Sequence, residues 1–365
     1  MKLNRSINVS IGLILLVFVI VGVFVSRAYE QHVERKAVAH LTTMLMLRES
    51  VLRSYFESLR SEVTLWSSQS VVTSVLNSLN ATYQARGRQG LVDADIGATQ
   101  TGDLRASKAM ESVALDDRIA AFAAHHRYYD VFFIGPNGNV LYTVAKEDDY
   151  GTNLLDGPYA DSGLGRLFQY LHASPGGDNV EFEDFSAYPP SNDEPAAFLG
   201  ARVYREGEYI GVYAVQIPVE PVNEIMQFSA GMGESGEIYL VGEDGLMRSD
   251  SRFFDSSSVL NTRVTGATVG KAFSGETGLE IVDDYREVPV YSAYRLFEFE
   301  GIRWAVLAEQ DVAEVEAPVV TARLWLGAGF VGLCLIAILF RFTLPHLAVP
   351  VFIAGLFGVT DDDYL

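Results

Sequence analysis

The sequence predicts an α+β chain in which a long N-terminal stalk helix and two tandem antiparallel-sheet modules are flanked by two transmembrane helices. Three observations carry this expectation. Apolar runs lie near both ends of the 365 residues, a helical apolar stripe follows the first run, and one hairpin-bearing pattern occurs twice between them.

The first apolar run, Ile11 to Val25, carries no charge, and counted from Ile7 it reaches about 19 residues, enough for a helix to cross roughly 30 Å of hydrocarbon. The second, Leu324 to Phe340, is bracketed by Arg323 and Arg341 and contains Gly327, Gly329 and Gly332, which membrane helices tolerate. A cleaved signal peptide is the competing reading of the first run. Its basic start and the small-x-small sequence Ser26-Arg27-Ala28 fit that reading, but the run exceeds the usual signal core of about 7–15 residues. We therefore expect it to be retained. Two crossings put both termini on one side, and Lys2 and Arg5 make that side the cytoplasm. Arg341 agrees, while Asp361, Asp362 and Asp363 dilute the signal.

The long segment between the runs then faces outward. It holds most of the acidic residues behind a net charge of −20, which argues against nucleic acid and anionic lipid as partners. Cys334, the one cysteine, lies in the second run, so the outer segment has no disulfide and must rely on its core.

From about Tyr29 to Gln84, apolar residues recur at Val33, Ala37, Leu41, Met44, Leu47, Val51, Tyr55, Leu59, Val63 and Trp66. Every step is three or four, which marks one face of a helix. Such a stalk either pairs with a second copy of the chain or packs along its own domain. The polar stretch Arg86 to Asp103 reads as a loop, and a second helical pattern spans Ala106 to His125.

Phe132-Phe133-Ile134, the turn residues Gly135 to Asn139, and Val140 to Val144 form a predicted hairpin. Leu240 to Met247 repeats it at an offset of 107 (133 to 240). A second match sets Pro195-Ala-Ala-Phe-Leu against Pro289-Val-Tyr-Ser-Ala at an offset of 94, and Val212, Ala214 and Gln216 answer Val306, Ala308 and Gln310 at the same offset. Two matches in one order indicate tandem related modules, the second shorter in its middle. Each closes with a hairpin, turning at Arg205 to Glu208 and near Glu300-Gly301. The predicted organisation is a cytoplasmic start and first span (1–27), a stalk with the membrane-distal module (28–227), a membrane-proximal module (228–320), a second span (321–343) and a short tail (344–365).

Three segments carry a resemblance to a known family. They are Tyr142 to Leu154, Asp184 to Ser191 followed by Pro195 to Phe198, and Gly233 to Gly242 followed by Leu246 to Arg252. Together they resemble the double Cache (dCache) sensor family of bacterial chemoreceptors, histidine kinases and cyclases, over roughly residues 10 to 345. The resemblance implies two PAS-like modules facing the periplasm from the bacterial inner membrane. It also implies a small-molecule ligand and a signal passed through the second span to an output module or a separate signalling partner, and the stalk helices are expected to pair two copies as a homodimer. Two stretches depart from the family. Asp156 to Asp161 lacks the Arg-x-Trp-Tyr pattern of amino-acid-sensing members, which puts an amino-acid ligand in question. The chain ends about 25 residues beyond the second run, where Leu347 to Pro350 and Asp363 to Leu365 only echo a HAMP helix, so a non-signalling scaffold that binds protein is the alternative function.

The sequence offers little for catalysis, and we expect no enzyme, metal or cofactor. His125 and His126 are adjacent, about 100° apart on a helix, which suits surface residues better than shared ligands. Gly270-Lys271 is followed by Ala272 where a phosphate loop needs Ser or Thr. Binding has more to work with. Tyr142, Lys146, Tyr150, Tyr159, Asp184 and Tyr188 supply aromatic walls and charges around the edge of a PAS-like pocket. In this reading Lys146 meets a ligand carboxylate and Asp184 a ligand amine.

Overall fold

The computed structural model describes residues 2–96, 116–173, 179–228 and 230–356. These divide into two units. One comprises the terminal segments 1–40 and 312–365, the other Leu41 to Asp311.

In the first unit, helix α1 (Lys2–Ser67) and helix α7 (Val312–Leu356) each contain a stretch long and apolar enough to cross a membrane. Phe18 and Phe330 meet with ring centroids 6.0 Å apart, and Arg323 donates to Ser26 at 3.0 Å and Glu30 at 2.7 Å.

In the second unit α1 continues to Ser67, and after a two-residue break α2 (Ser70–Ile96) follows. The predicted single helix therefore has a joint. α2 also runs through much of the expected loop, with a break at Gly87, where φ is 63°. Of the second predicted helix, the described part is α3 (residues 116–126). The face α1 buries is offset from the predicted stripe. Leu41, Leu45, Leu52, Phe56, Leu59 and Val63 are buried, whereas Leu47 and Val51 are 50% and 39% exposed. Both stripes have helical spacing, so periodicity alone does not choose between them.

The two modules are separate antiparallel sheets. The first contains β1 (Asp130–Ile134), β2 (Val140–Thr143), β3 (Val180–Tyr188), β4 (Glu194–Arg205) and β5 (Glu208–Ile217), in the order β2-β1-β5-β4-β3. Helix α4 (Gly163–Ala173) covers one face, over a core that includes Phe132, Leu167, Phe168, Tyr188 and Phe198. Helix α5 (Glu220–Met226) leads on to β6 (Glu237–Gly242), α6 (Ala267–Phe273), β7 (Gly278–Asp283), β8 (Pro289–Phe299) and β9 (Ile302–Asp311). The second sheet has the order β6-β9-β8-β7, so it repeats the first without the β2 position. Both closing hairpins turn on Glu-Gly pairs with positive φ at both residues, 52° and 85° at Glu206-Gly207, 44° and 80° at Glu300-Gly301. That is the turn whose twist suits a two-residue hairpin.

Strand register corrects one part of the predicted repeat. Val203 pairs Gly211 but Tyr204 pairs Tyr209, so Ile210 is an extra residue in β5. Gly211 sits beside this bulge at φ +142°, where a Cβ would lie 2.2 Å from the carbonyl oxygen of Ile134. Beyond the bulge the register slips by one. Asp130 pairs Gln216, whereas its counterpart Glu237 pairs Glu309. The residues matching Val212, Ala214 and Gln216 are thus Ala305, Leu307 and Glu309, and the predicted partners point to the opposite face.

Candidate ligand-binding site

The register places a polar pair at the same spot in both sheets, on the face covered by the short helix of each module. In the first it is Asp130 and Gln216, 0% and 3% exposed in otherwise apolar strands. Around it the segment after β2 and the turn after β3 bring further polar groups. Asp130 accepts from the backbone N–H groups of Val131 (2.7 Å), Val144 (2.6 Å) and Ala145 (3.1 Å) and from the Thr143 hydroxyl. Burial pushes its carboxyl up to about 6 against those bonds. Asp149 accepts from the buried Tyr188 hydroxyl at 2.5 Å. Its carboxyl is pushed up to about 7, first by burial and then by Asp130 and Glu147. Glu147 accepts from Tyr129 and Ser191, both at 2.7 Å, and the Ser191 hydroxyl accepts from the Gln216 amide at 3.2 Å.

Two acceptors in this cluster have no partner among the described residues: Asp149 Oδ1 and Gln216 Oε1. Unsatisfied buried acceptors are costly, about 1–3 kcal/mol each.

The second module fills the equivalent place from within. Glu237 accepts from Tyr285 (2.5 Å) and Ser251 (3.0 Å), and Glu309 from Ser292 (2.6 Å) and Tyr239 (2.9 Å). Asp284 accepts from the Arg286 side chain at 2.6 Å and from two backbone N–H groups. Donor atoms of these three carboxylates lie within 4.8 Å of one another, a spacing a divalent cation could bridge. Each of the six oxygens nevertheless already accepts from the chain. Burial, then repulsion from Glu237 and Asp284, holds the Glu309 carboxyl at about 7.

The six predicted site residues divide among three places. Tyr188 and Tyr159 belong to the distal cluster: Tyr188 bonds Asp149, and Tyr159 packs on the same core. Tyr142 lies on the opposite face, 5.7 Å from Phe133 and facing it edge-on, because neighbouring strand residues face opposite ways and it is Thr143 that points to the cluster. The Lys146 ammonium lies over Tyr142 at 3.7 Å and Tyr150 at 4.7 Å, and 3.8 Å from Asp116 of α3.

Asp184 is elsewhere again, at the seam between the modules. It accepts from the Arg248 guanidinium at 2.9–3.1 Å and from the Trp304 indole at 3.0 Å, both in the second module. Arg248 reaches it across Gly242, where a Cβ would lie 2.4 Å from the guanidinium. Phe56 of α1 completes the seam, 5.2 Å from Phe182 and from Phe299, and 5.5 Å from Trp304. Asp184 is therefore a bridging residue, and its expected meeting with a ligand amine is replaced by a meeting with Arg248. Asp130, Glu147, Asp149 and Gln216 were missed. A polar residue inside an apolar strand, as at Asp130 and Gln216, was the available signal.

The sequence profile of the Cache domain family (dCache_1) matches residues 26–319. Solved structures with a similar chain path include the ligand-binding domain of the Pseudomonas aeruginosa PAO1 amino acid chemoreceptor PctC in complex with GABA. It is 16% identical, with a TM-score of 0.44 over 74% of this chain and 99% of that one. The Campylobacter jejuni chemoreceptor Tlp3 domain in complex with 4-methylisoleucine is 12% identical, with a TM-score of 0.48 over 78% and 94%. The V. cholerae histidine kinase DctB sensor domain is 9% identical, with a TM-score of 0.46 over 78% and 98%. No curated protein sequence matches significantly.

Proposed function

Because the chain belongs to the Cache-domain family, we propose that it is a membrane-anchored extracytoplasmic sensor, not an enzyme, and that it binds a small amine-bearing ligand in the distal module. One observation carries the ligand class. Two buried acceptors, on Asp149 and Gln216, lack donors in a cluster that also holds Asp130 and Glu147. An ammonium group supplies donors and the matching charge at once. The named residues of the cluster include no cation to pair with a carboxylate, which favours a simple amine over an amino acid. The proximal module, whose three clustered carboxylates accept from the chain at every oxygen, takes the supporting role.

The match to the Cache-domain family supports the sensor part of this reading. Signalling then requires that the ligand favour one of two helix arrangements, read through α7. A homodimer along α1 is part of the proposal. Leu47 and Val51 are exposed on a stripe that continues through Met44 and Tyr55, an apolar face suited to a second copy.

The test is a thermal-shift screen of the full chain in nanodiscs against primary amines, amino acids, organic acids and sugars, with EDTA and calcium as controls. Amines should raise Tm in the native chain and not in Asp149→Asn. Stabilisation by acids or sugars alone, or amine stabilisation that survives in the variant, would overturn the assignment.

A further inference from the structure

The opposite face of the distal sheet carries a second feature, independent of the polar cluster. An apolar cavity of about 240 Å³ opens where α1 meets α2. Trp66 closes α1's end of it, Val71, Val72 and Val75 come from α2, and Ile119 and Phe122 from α3. Val131, Phe133 and Tyr213 of the sheet form the floor. An apolar cavity of about 150 Å³ suffices to bind benzene, so this one accepts a substituted ring.

Two polar features define what else the occupant carries. Among the described residues, Arg118 of α3 is the only charged one in the wall, and it is exposed. The Tyr213 side chain, in the floor, is 2% exposed. Its proton is held tightly, since burial raises its pKa above the usual phenol range, so it remains a neutral donor. Neighbouring polar groups are already committed: Glu62 accepts from His126 at 2.7 Å and from Tyr128 at 2.8 Å.

We propose that this cavity is a second ligand site, for a small aromatic carboxylate whose ring lies among the valines and aromatic side chains and whose anion pairs with Arg118. Its occupant would bear on the joint between α1 and α2, at the end of the helix that also holds the first apolar run.

The probe is 4-bromophenylacetate, whose bromine quenches a tryptophan in contact with it. The chain has three tryptophans, and only Trp66 lines the cavity. With the full chain in nanodiscs, quenching should saturate and should disappear in Trp66→Phe. Val72→Phe fills the cavity and should weaken binding at least tenfold while Tm holds or rises. Arg118→Gln, at an exposed position, should weaken the acid about tenfold and leave 4-bromophenethyl alcohol unchanged. Quenching that does not saturate, that persists in Trp66→Phe, or that is equal for acid and alcohol in the native chain would overturn the proposal. So would native affinity in both Val72→Phe and Arg118→Gln.

Discussion

Replacing Asp184 by Ala should destabilise the outer unit without touching the distal cluster. Across the seam the carboxylate accepts from the Arg248 Nε–H, shared between its two oxygens, and from the Trp304 indole N–H, and it also accepts from its neighbour Phe185 at 2.7 Å. Removing it leaves the buried Arg248 with Asp244, at 3.0 and 3.1 Å, and the Leu246 carbonyl, at 3.0 Å, and takes from the Trp304 N–H its Asp184 acceptor. Deleting one member of a fully buried pair costs about 3–5 kcal/mol. The Asp184 side chain is 23% exposed, so solvent offsets part of that loss, and we expect about 2–4 kcal/mol. For a unit of this size that is a fall in Tm of roughly 5–15 °C. The assay is thermal unfolding of the full chain in nanodiscs, completed as a cycle with Arg248→Ala and the double variant. The double variant should lose clearly less than the sum, with a coupling of about 1–3 kcal/mol. Additive losses, or a loss below about 0.5 kcal/mol for Asp184→Ala, would refute the bridge.

The other expectations are shorter. Glu309, held at about 7 by burial, takes up its proton more readily when folded than when unfolded. The folded state therefore gains stability as pH falls through 7 towards 5, and Glu309→Gln should flatten that part of the Tm-against-pH curve; an unchanged slope would count against it. A reporter fused after Gln84 should read as outside and one fused at Leu365 as inside, and a shared side would remove the two-span topology. Leu47→Glu with Val51→Glu should shift the chain towards monomer in light scattering while Tm changes little, and an unchanged mass would place any dimer contact elsewhere.

Much of the fold was legible because it depends on local pattern. The two candidate spans follow from uninterrupted apolar runs, and the hairpins follow from Asn-Gly and Glu-Gly turns between apolar strands. What was not legible depends on long-range register or distant partners. One extra residue at Ile210 shifts the end of β5 against its counterpart, which no alignment of the two copies by residue type reveals. The alternation of β2 separates Tyr142 from the cluster it adjoins in sequence. Asp184 looked like a pocket residue because its neighbours Tyr188 and Ser191 are ones, while its partner lies 64 residues on, in the other module. The α1 stripe failed similarly, since two helical faces were apolar and only packing distinguishes them.

The central claim is that the distal cluster, and not its proximal counterpart, receives the ligand's amine. Calorimetric titration of the most stabilising amine into the native chain, Asp149→Asn and Glu309→Gln tests it most directly. A lost charge-assisted hydrogen bond is worth about 1.5–3 kcal/mol, so Asp149→Asn should weaken binding at least tenfold. Glu309→Gln should bind as the native chain does. Native affinity in Asp149→Asn, or an equal loss in Glu309→Gln, would contradict the account.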